Sequence, residues 1–369
     1  MRTIIVGGGI AGSSVAYHLA AQGENVTVID ANHEGRATDA GAGIICPWIT
    51  KRNKNTMAYQ LSTYGASYYK KLQQSLEATG FSETSYRQVG SLGVFTEEQA
   101  VDDAVMKLKE ERRTSPEIGE VNKISNEEAR RLFPPLSDAL HALHITGGAR
   151  VDGKKLQLAL QKAAVHHGAT WINGQASIVI EGDEVTGIKL ESGEQIEAER
   201  FVLATGAWEN ELNMPVQPRH AIRAQRGQIV HLRPNGMDTS EWPIVQPESS
   251  YYMLTFDDER LVVGATREDD TGFDYRLTAG GLHEVLSEAK RVIPGAYEYE
   301  LLETRIGFRP IPADNKPLIG PMRAYDNVYH CNGFGATGLT MAPGAGKLLA
   351  DLILGIELEL DLRHFYPET

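Results

Sequence analysis

Three glycines, Gly7, Gly9 and Gly12, follow directly on the apolar run Ile4-Ile5-Val6 and open an amphipathic stretch carrying Val15, Ala16, Leu19 and Ala20. Gly23 and a second apolar run, Val26-Thr27-Val28-Ile29, come next, and that run ends in Asp30. Strand, glycine turn, helix, strand and terminal acid in this order specify the first βαβ unit of a dinucleotide-binding α/β fold. Each part has a physical job. Gly7 makes the tight turn, Gly9 lets a pyrophosphate approach the backbone, and Gly12 lets the helix lie close on the strand. The unpaired N–H groups of the first helical turn, Ile10 and Ala11 among them, face the phosphates. Asp30 accepts hydrogen bonds from an adenosine ribose; a 2′-phosphate would be repelled there, which argues against NADP. A glycine turn without a ligand is the bland alternative, but it does not explain the acid at the end of the second strand. NAD and FAD share the motif, so it leaves both open.

The formal net charge is −13, with no basic block, which argues against nucleic acid as a partner. Cys46 and Cys331 form neither a disulfide framework nor a metal-ligand spacing, so no metal is expected and both thiols read as reduced and partly buried. No apolar run reaches membrane-spanning length. The apolar stretch at the start is interrupted by glycine and belongs to the fold rather than to a signal peptide. A cytoplasmic protein is the simplest expectation.

Beyond the first unit, Glu34 to Ile45 is polar and rich in Gly and Ala, so a flat ligand could reach its backbone. Helices are expected over 56–79, ended by Gly80, over 97–113, over 127–132 behind the capping-box pattern Ser125-Asn126-Glu127-Glu128, over 154–168, over 279–292 and over 345–354. Strands are expected over 90–95, 175–181, 184–191, 195–197, 201–207, within 216–232 and 243–266, and over 327–331. A second glycine-rich turn spans Asn332 to Gly338. Nucleotide-binding pieces at both ends, with β-rich segments between, imply interleaved domains.

Several segments in order now carry a resemblance. The spacing from Gly7 to Asp30 is similar to the FAD form of the fingerprint, and Arg36-Ala37-Thr38-Asp39-Ala40-Gly41-Ala42-Gly43 resembles the segment after the second strand of glycine oxidase. Phe201-Val-Leu-Ala-Thr205-Gly206-Ala-Trp208 resembles the mid-chain flavoprotein strand. Tyr252-Met-Leu-Thr255, Arg260 to Thr266, Gly307-Phe-Arg309-Pro310 and Gly333 to Ala342 continue the match. Together they resemble the superfamily of D-amino-acid oxidase, glycine oxidase and D-amino-acid dehydrogenase.

The resemblance implies an α/β fold: an FAD-binding Rossmann-like domain of the GR2 flavoprotein type (residues 1–85, 147–215 and 317–369) interleaved with a mixed β-sheet α+β substrate domain (86–146 and 216–316). It implies FAD contacts from Gly7, Gly9, Ile10, Ala11, Gly12, Asp30, Ala31, Arg36, Ala37, Thr38, Ala42, Gly43, Ile44, Ser177, Thr205 and Gly206. It implies a second set, Gly333, Phe334, Gly335, Ala336, Thr337, Gly338, Leu339 and Thr340, against the flavin ring, with the following helix aimed at it. FAD is expected to be non-covalent, because neither cysteine matches the attachment position of sarcosine oxidases. It implies Arg309 and Tyr252 as the anchor of a substrate carboxylate. Read without the family, Arg309 and Arg305 share one face of a strand and could be surface arginines, and Tyr252 could be an ordinary sheet tyrosine. Guanidinium geometry suits bidentate carboxylate recognition.

The resemblance therefore implies oxidative deamination of a small amino acid, a D-amino acid or glycine, by hydride transfer to flavin N5. Sarcosine or another N-substituted glycine is the nearest alternative substrate. A flavin-binding electron-transfer subunit is the alternative of a different class. The acceptor is oxygen or a quinone. Ala336 stands where glycine oxidase has a second arginine, so a dehydrogenase is expected. Arg267 is the nearest positive charge: neutralised by Glu268, Asp269 and Asp270, as expected, it would slow oxygen, whereas pointing at the flavin it would restore oxidase activity.

Overall fold

A computed structural model describes all residues except 51–53, 55, 213, 215–220, 235, 368 and 369. The opening motif folds into strand Arg2–Val6, helix Ile10–Ala21 and strand Asn25–Asp30. The first strand pairs in parallel with Asn25–Asp30 on one side and Arg200–Leu203 on the other, with Val6 opposite both Ile29 and Leu203. Thr170–Asn173 and Tyr325–Asn332 extend the parallel sheet outward, and Leu318–Met322 adds an antiparallel edge, giving six strands. Parallel strands covered on their faces read as near-continuous apolar runs, and Ile4, Ile5, Val28, Phe201 and Val328 are all buried.

Helix Ile10–Ala21 packs against both Gly153–His166 and Gly338–Leu354. Gly12 makes its close approach possible: a Cβ there would lie 1.9 Å from the carbonyl oxygen of Gly7. The last of these helices starts at Gly338 rather than at residue 345, and it contains Pro343. A proline cannot donate to the carbonyl four residues back, here Leu339. The hydroxyl of buried Tyr69, on helix Met57–Thr79, donates to that carbonyl instead.

The second sheet has eight strands in the order Glu300–Pro312, Ile222–Arg233, Leu261–Gly264, Tyr252–Thr255, Ile244–Pro247, Ser91–Phe95, His141–Ile145 and Val121–Ile124. All neighbours run antiparallel except Ile244–Pro247 with Ser91–Phe95. The strand expected within 216–232 is found from Ile222; residues 216–220 lie outside the described residues. The capping box closes as expected, with Ser125 and Glu128 bonding each other's backbone around helix Asn126–Leu132. The two sheets meet where strand Glu300–Pro312 touches the loop after Asp30: the Phe308 N–H donates to Gly35 O at 2.9 Å, and Arg36 and Phe308 form a parallel bridge. No helix among the described residues is long and apolar enough to cross a membrane.

Candidate active site

The parallel strands deliver their C-terminal ends to one place, as open α/β sheets do. A cavity of about 1780 Å³ opens there and runs to residues of the second sheet. At one end, Gly7, Gly9, Ile10 and Ala11 form the wall at the helix N-terminus. Gly9 is the N-cap and brings no side-chain cap; the Ile10 N–H donates to Thr38 Oγ1 at 3.0 Å. A Cβ on Gly9 would meet only Thr38 Oγ1, at 3.3 Å, so the backbone there is open to a ligand. Asp30 and Ala31 continue the wall. The Asp30 carboxylate accepts from Arg36 at 2.8 Å and from the Asn32 N–H at 3.3 Å, while Arg36 also pairs with Asp39. Ala37, Ala42, Gly43 and Ile44 line the next stretch.

Opposite, Thr205, Gly206, Phe334, Gly335, Ala336, Thr337, Gly338, Leu339 and Thr340 line the cavity. One polar cluster ties these two turns together. Asn332 Nδ2 donates to Gly206 O at 3.0 Å and to Glu209 Oε2 at 2.7 Å, and buried His330 lies 3.1 Å from Glu209. Residue spacing gives no hint of this cluster, because its members come from distant segments. The cradle fits an FAD-sized dinucleotide: a helix start whose N-cap is a bare glycine for phosphates, an acid for a ribose, and a second helix start at the far end.

Three residues expected at the cofactor, Gly12, Gly333 and Ser177, do not line the cavity. Gly12 lies behind the wall, against Gly7. Gly333 packs on Pro312, where a Cβ would lie 2.6 Å from its ring. Ser177 is on the outer side of strand Ala176–Glu181, with its hydroxyl donating to Lys189 O at 3.2 Å. Its neighbour Ala176 lines the cavity instead, because successive strand residues point to opposite faces.

Arg309 and Tyr252 both line the second-sheet end. Arg309 Nη1 donates to Gln225 Oε1 at 3.1 Å and to Thr266 O at 3.0 Å. Its guanidinium lies over Gly227, where a Cβ would come within 2.6 Å of Nη2. The Tyr252 ring stands over Gly264. Burial pushes the Tyr252 hydroxyl pKa up, with the charges of Arg309 and Arg267 opposing, so the phenol keeps its proton near neutral pH.

The expected neutralisation of Arg267 does not occur. Glu268 is held by Arg226, Gln228 and Thr266, each at 2.6 Å, and Asp269 by Arg223 and Gln225. Arg267 makes no ion pair among the described residues and lines the cavity. Sequence reasoning also missed the loop Cys46-Pro47-Trp48-Ile49, which lines the cavity and is tied to the second sheet by Gln246 Nε2 donating to Ile49 O at 3.2 Å. Burial pushes the Cys46 thiol up to about 11, so it stays protonated and a poor nucleophile.

A parallel sheet with a phosphate turn, coupled through one cavity to a mostly antiparallel sheet, defines a dinucleotide-dependent oxidoreductase of the flavoprotein type. The family model for FAD dependent oxidoreductases, DAO, matches residues 2–352, and the chain belongs to that family. The protein is thus an FAD-dependent enzyme. An uncharacterized oxidoreductase of Bacillus subtilis (strain 168), YurR, is 44% identical over 99% of this chain and 98% of its own length. The crystal structure of iminodiacetate oxidase (IdaA) from Chelativorans sp. BNC1 superposes with a TM-score of 0.95 at 41% identity, covering 100% of this chain and 99% of that one. Glycine oxidase from Geobacillus kaustophilus superposes with a TM-score of 0.87 at 25% identity, covering 100% and 99%.

Proposed function

We propose that the enzyme oxidises the Cα–N bond of a small amino acid or an N-substituted glycine, with the carboxylate held by Arg309 and Tyr252. The observation that carries this reading is the Arg309 guanidinium, seated over Gly227 and facing the same cavity as Tyr252. In this reading the first sheet and its helices hold FAD and the second sheet holds the substrate.

FAD, held by the glycine turn after Val6 and by the Thr205–Gly206 and Phe334–Thr340 segments, would supply the acceptor for a hydride from Cα. The substrate nitrogen loses a proton, and water then splits the imine into a keto acid, or glyoxylate, and an amine. The chain's part is to bind and orient. Arg309 makes a planar, charged clamp for a carboxylate, and Tyr252 donates from its neutral hydroxyl. Ile229 and Phe334 keep the walls apolar. No side-chain base is needed, since a neutral amine supplies its own lone pair.

The N-substituted glycine is favoured over a D-amino acid. The relative at 41% identity is named for such a compound, whereas those named glycine oxidase stand at 23–27%. The acceptor this reading favours is oxygen, because these relatives are oxidases by name and no carboxylate among the described residues pairs with Arg267. The test is anaerobic mixing of the holoenzyme with glycine, sarcosine and D- and L-amino acids, following loss of the flavin's visible absorbance. Bleaching by free acids and not by their amides is the expected result; a flavin that no amine reduces would overturn the reading.

A further inference from the structure

At the end of the cavity marked by Asp30, the wall carries a pair of stacked rings. Asp30 and Ala31 stand there with His33, and Gly174 is fixed beside them by donating its N–H to Asp30 O at 2.9 Å. Glu211 crosses this end: it accepts from Gln175 Nε2 at 3.1 Å and lies 3.4 Å from His33 Nε2. Trp208, on the same short helix as Glu211, lies parallel to the His33 ring, with centroids 4.6 Å apart and planes 7° apart. Both rings line the cavity.

The second sheet supplies what holds this pair. Residues 268–278 follow strand Leu261–Gly264 and are tied at both ends to strand Ile222–Arg233. At the start, Glu268 and Arg226 exchange backbone hydrogen bonds at 3.0 Å, and the Arg226 guanidinium holds the Glu268 carboxylate at 2.6 Å. The same guanidinium pairs with the Asp274 carboxylate at 2.9 Å and donates to the Asp274 carbonyl at 3.0 Å. At the end, the Gln228 side chain donates to Thr278 Oγ1 and accepts from the Thr278 N–H, both at 3.0 Å. Between these ties Gly272, at φ 55°, turns the chain, and Phe273 stacks on Trp208 with centroids 4.9 Å apart and planes 13° apart. Phe273 also meets Phe308 edge-on at 5.2 Å, and Tyr275 reaches Gly35, where a Cβ would lie 3.1 Å from its ring. Phe273 is nevertheless 45% exposed. A ring left that open recovers only part of the free energy of burial, so core packing does not explain it; its fixed contacts are with rings of the cofactor wall.

We infer that Phe273 is a positioning residue for the cofactor: through Trp208 it fixes the His33–Trp208 pair beside the adenosine half of FAD, and so sets how tightly and for how long FAD is held. The pair stands at the Asp30 end, where the ribose belongs, and rings held in a fixed plane suit the flat face of an adenine. FMN, which has no adenosine, gains nothing from them. The second sheet thus takes part in cofactor retention, and it does so whichever amine the enzyme oxidises.

The test uses the full-length enzyme as wild type, Phe273→Ala and Phe273→Tyr. FAD release from the holoenzyme on dilution is followed by the rise in flavin fluorescence, and Kd values for FAD, ADP and FMN are measured by titrating the deflavinated enzyme. Phe273→Ala should speed FAD release and weaken both FAD and ADP by about five- to tenfold, the scale of one or two aromatic contacts, while FMN stays within about twofold. Phe273→Tyr keeps the ring and should stay within about twofold of wild type for all three ligands. Unchanged FAD release in Phe273→Ala, an ADP affinity that does not move, a loss as large for FMN as for FAD, or a Phe273→Tyr enzyme as weak as Phe273→Ala would each overturn the assignment.

Discussion

Asp30 and Arg309 show what one side chain contributes at opposite ends of one cavity. Asp30 is nearly buried and already carries an ion pair to Arg36, so an adenosine hydroxyl would join an existing charged cluster. Asp30→Ala should weaken FAD binding by about 1.5–3 kcal/mol, the range for a hydrogen bond to a charged group. Turnover per bound flavin should be unchanged, because the carboxylate lies far from the substrate end; titration of apoprotein with FAD and activity at saturation measure the two separately. Arg309→Ala should cost about 2–5 kcal/mol in kcat/KM, by analogy with removing one partner of a buried charge pair. Arg309→Lys should remain impaired, since a point charge lacks the planar fork. Steady-state kinetics on the best substrate from the panel decide it, and a normal kcat/KM in Arg309→Ala would remove Arg309 from the site. The residues whose place on the cavity wall was legible in the sequence were those whose spacing is local, such as Gly7, Gly9 and Asp30, or whose neighbours carry a family pattern, such as Arg309. Ala176 rather than Ser177 lines the cavity, because the choice of strand face depends on register. Glu209, His330 and Gln246 act through partners tens to hundreds of residues away, and no local pattern announces that.

Elements report on pressures that composition conceals. The glycines and Pro343 of the tail suggest a loop before residue 345, yet the helix begins at Gly338 because Tyr69 takes over the hydrogen bond that Pro343 cannot make. Tyr69→Phe leaves the Leu339 carbonyl buried without that donor and should cost about 1–3 kcal/mol of stability, read as a lowered denaturant midpoint. The same change should loosen FAD, since Leu339 lines its cavity. Strand Ile222–Arg233 carries another such tension. Buried His231 has its pKa lowered to about 4, chiefly by burial and then by the charge of Arg305, with Glu303 opposing. The unfolded chain binds that proton near pH 6.5, so stability from this group is full above that value. It should fall by about 1.4 kcal/mol per pH unit between about 6.5 and about 4. His231→Val, a residue suited to a buried strand, should flatten that part of the stability–pH curve, measured by urea unfolding at several pH values.

At the scale of the molecule, chain order and spatial order diverge. The first sheet takes strands from residues 2–30, 170–173, 200–203 and 318–332, while the second draws on 91–145 and 222–312. Nucleotide-binding patterns at both ends of the chain point in the sequence to strands drawn from both ends, whereas nothing local marks the loop of residues 46–49 between the sheets. FAD should be released into the supernatant when the purified enzyme is denatured by acid, because Cys46 is protonated and Cys331 is buried within the first sheet. Flavin remaining in the pellet would mean a covalent link.

The seam between the sheets has a practical corollary for protein engineering. Phe308 is hydrogen-bonded to Gly35 and bridged to Arg36, and Arg36 in turn grips Asp30. A chimera that imports residues 222–312 from a relative with another specificity therefore also imports half of a joint whose other half stays with the host. Such a graft should carry residues 34–39 along with it, or the swap meant to change the substrate will be scored as a loss of cofactor.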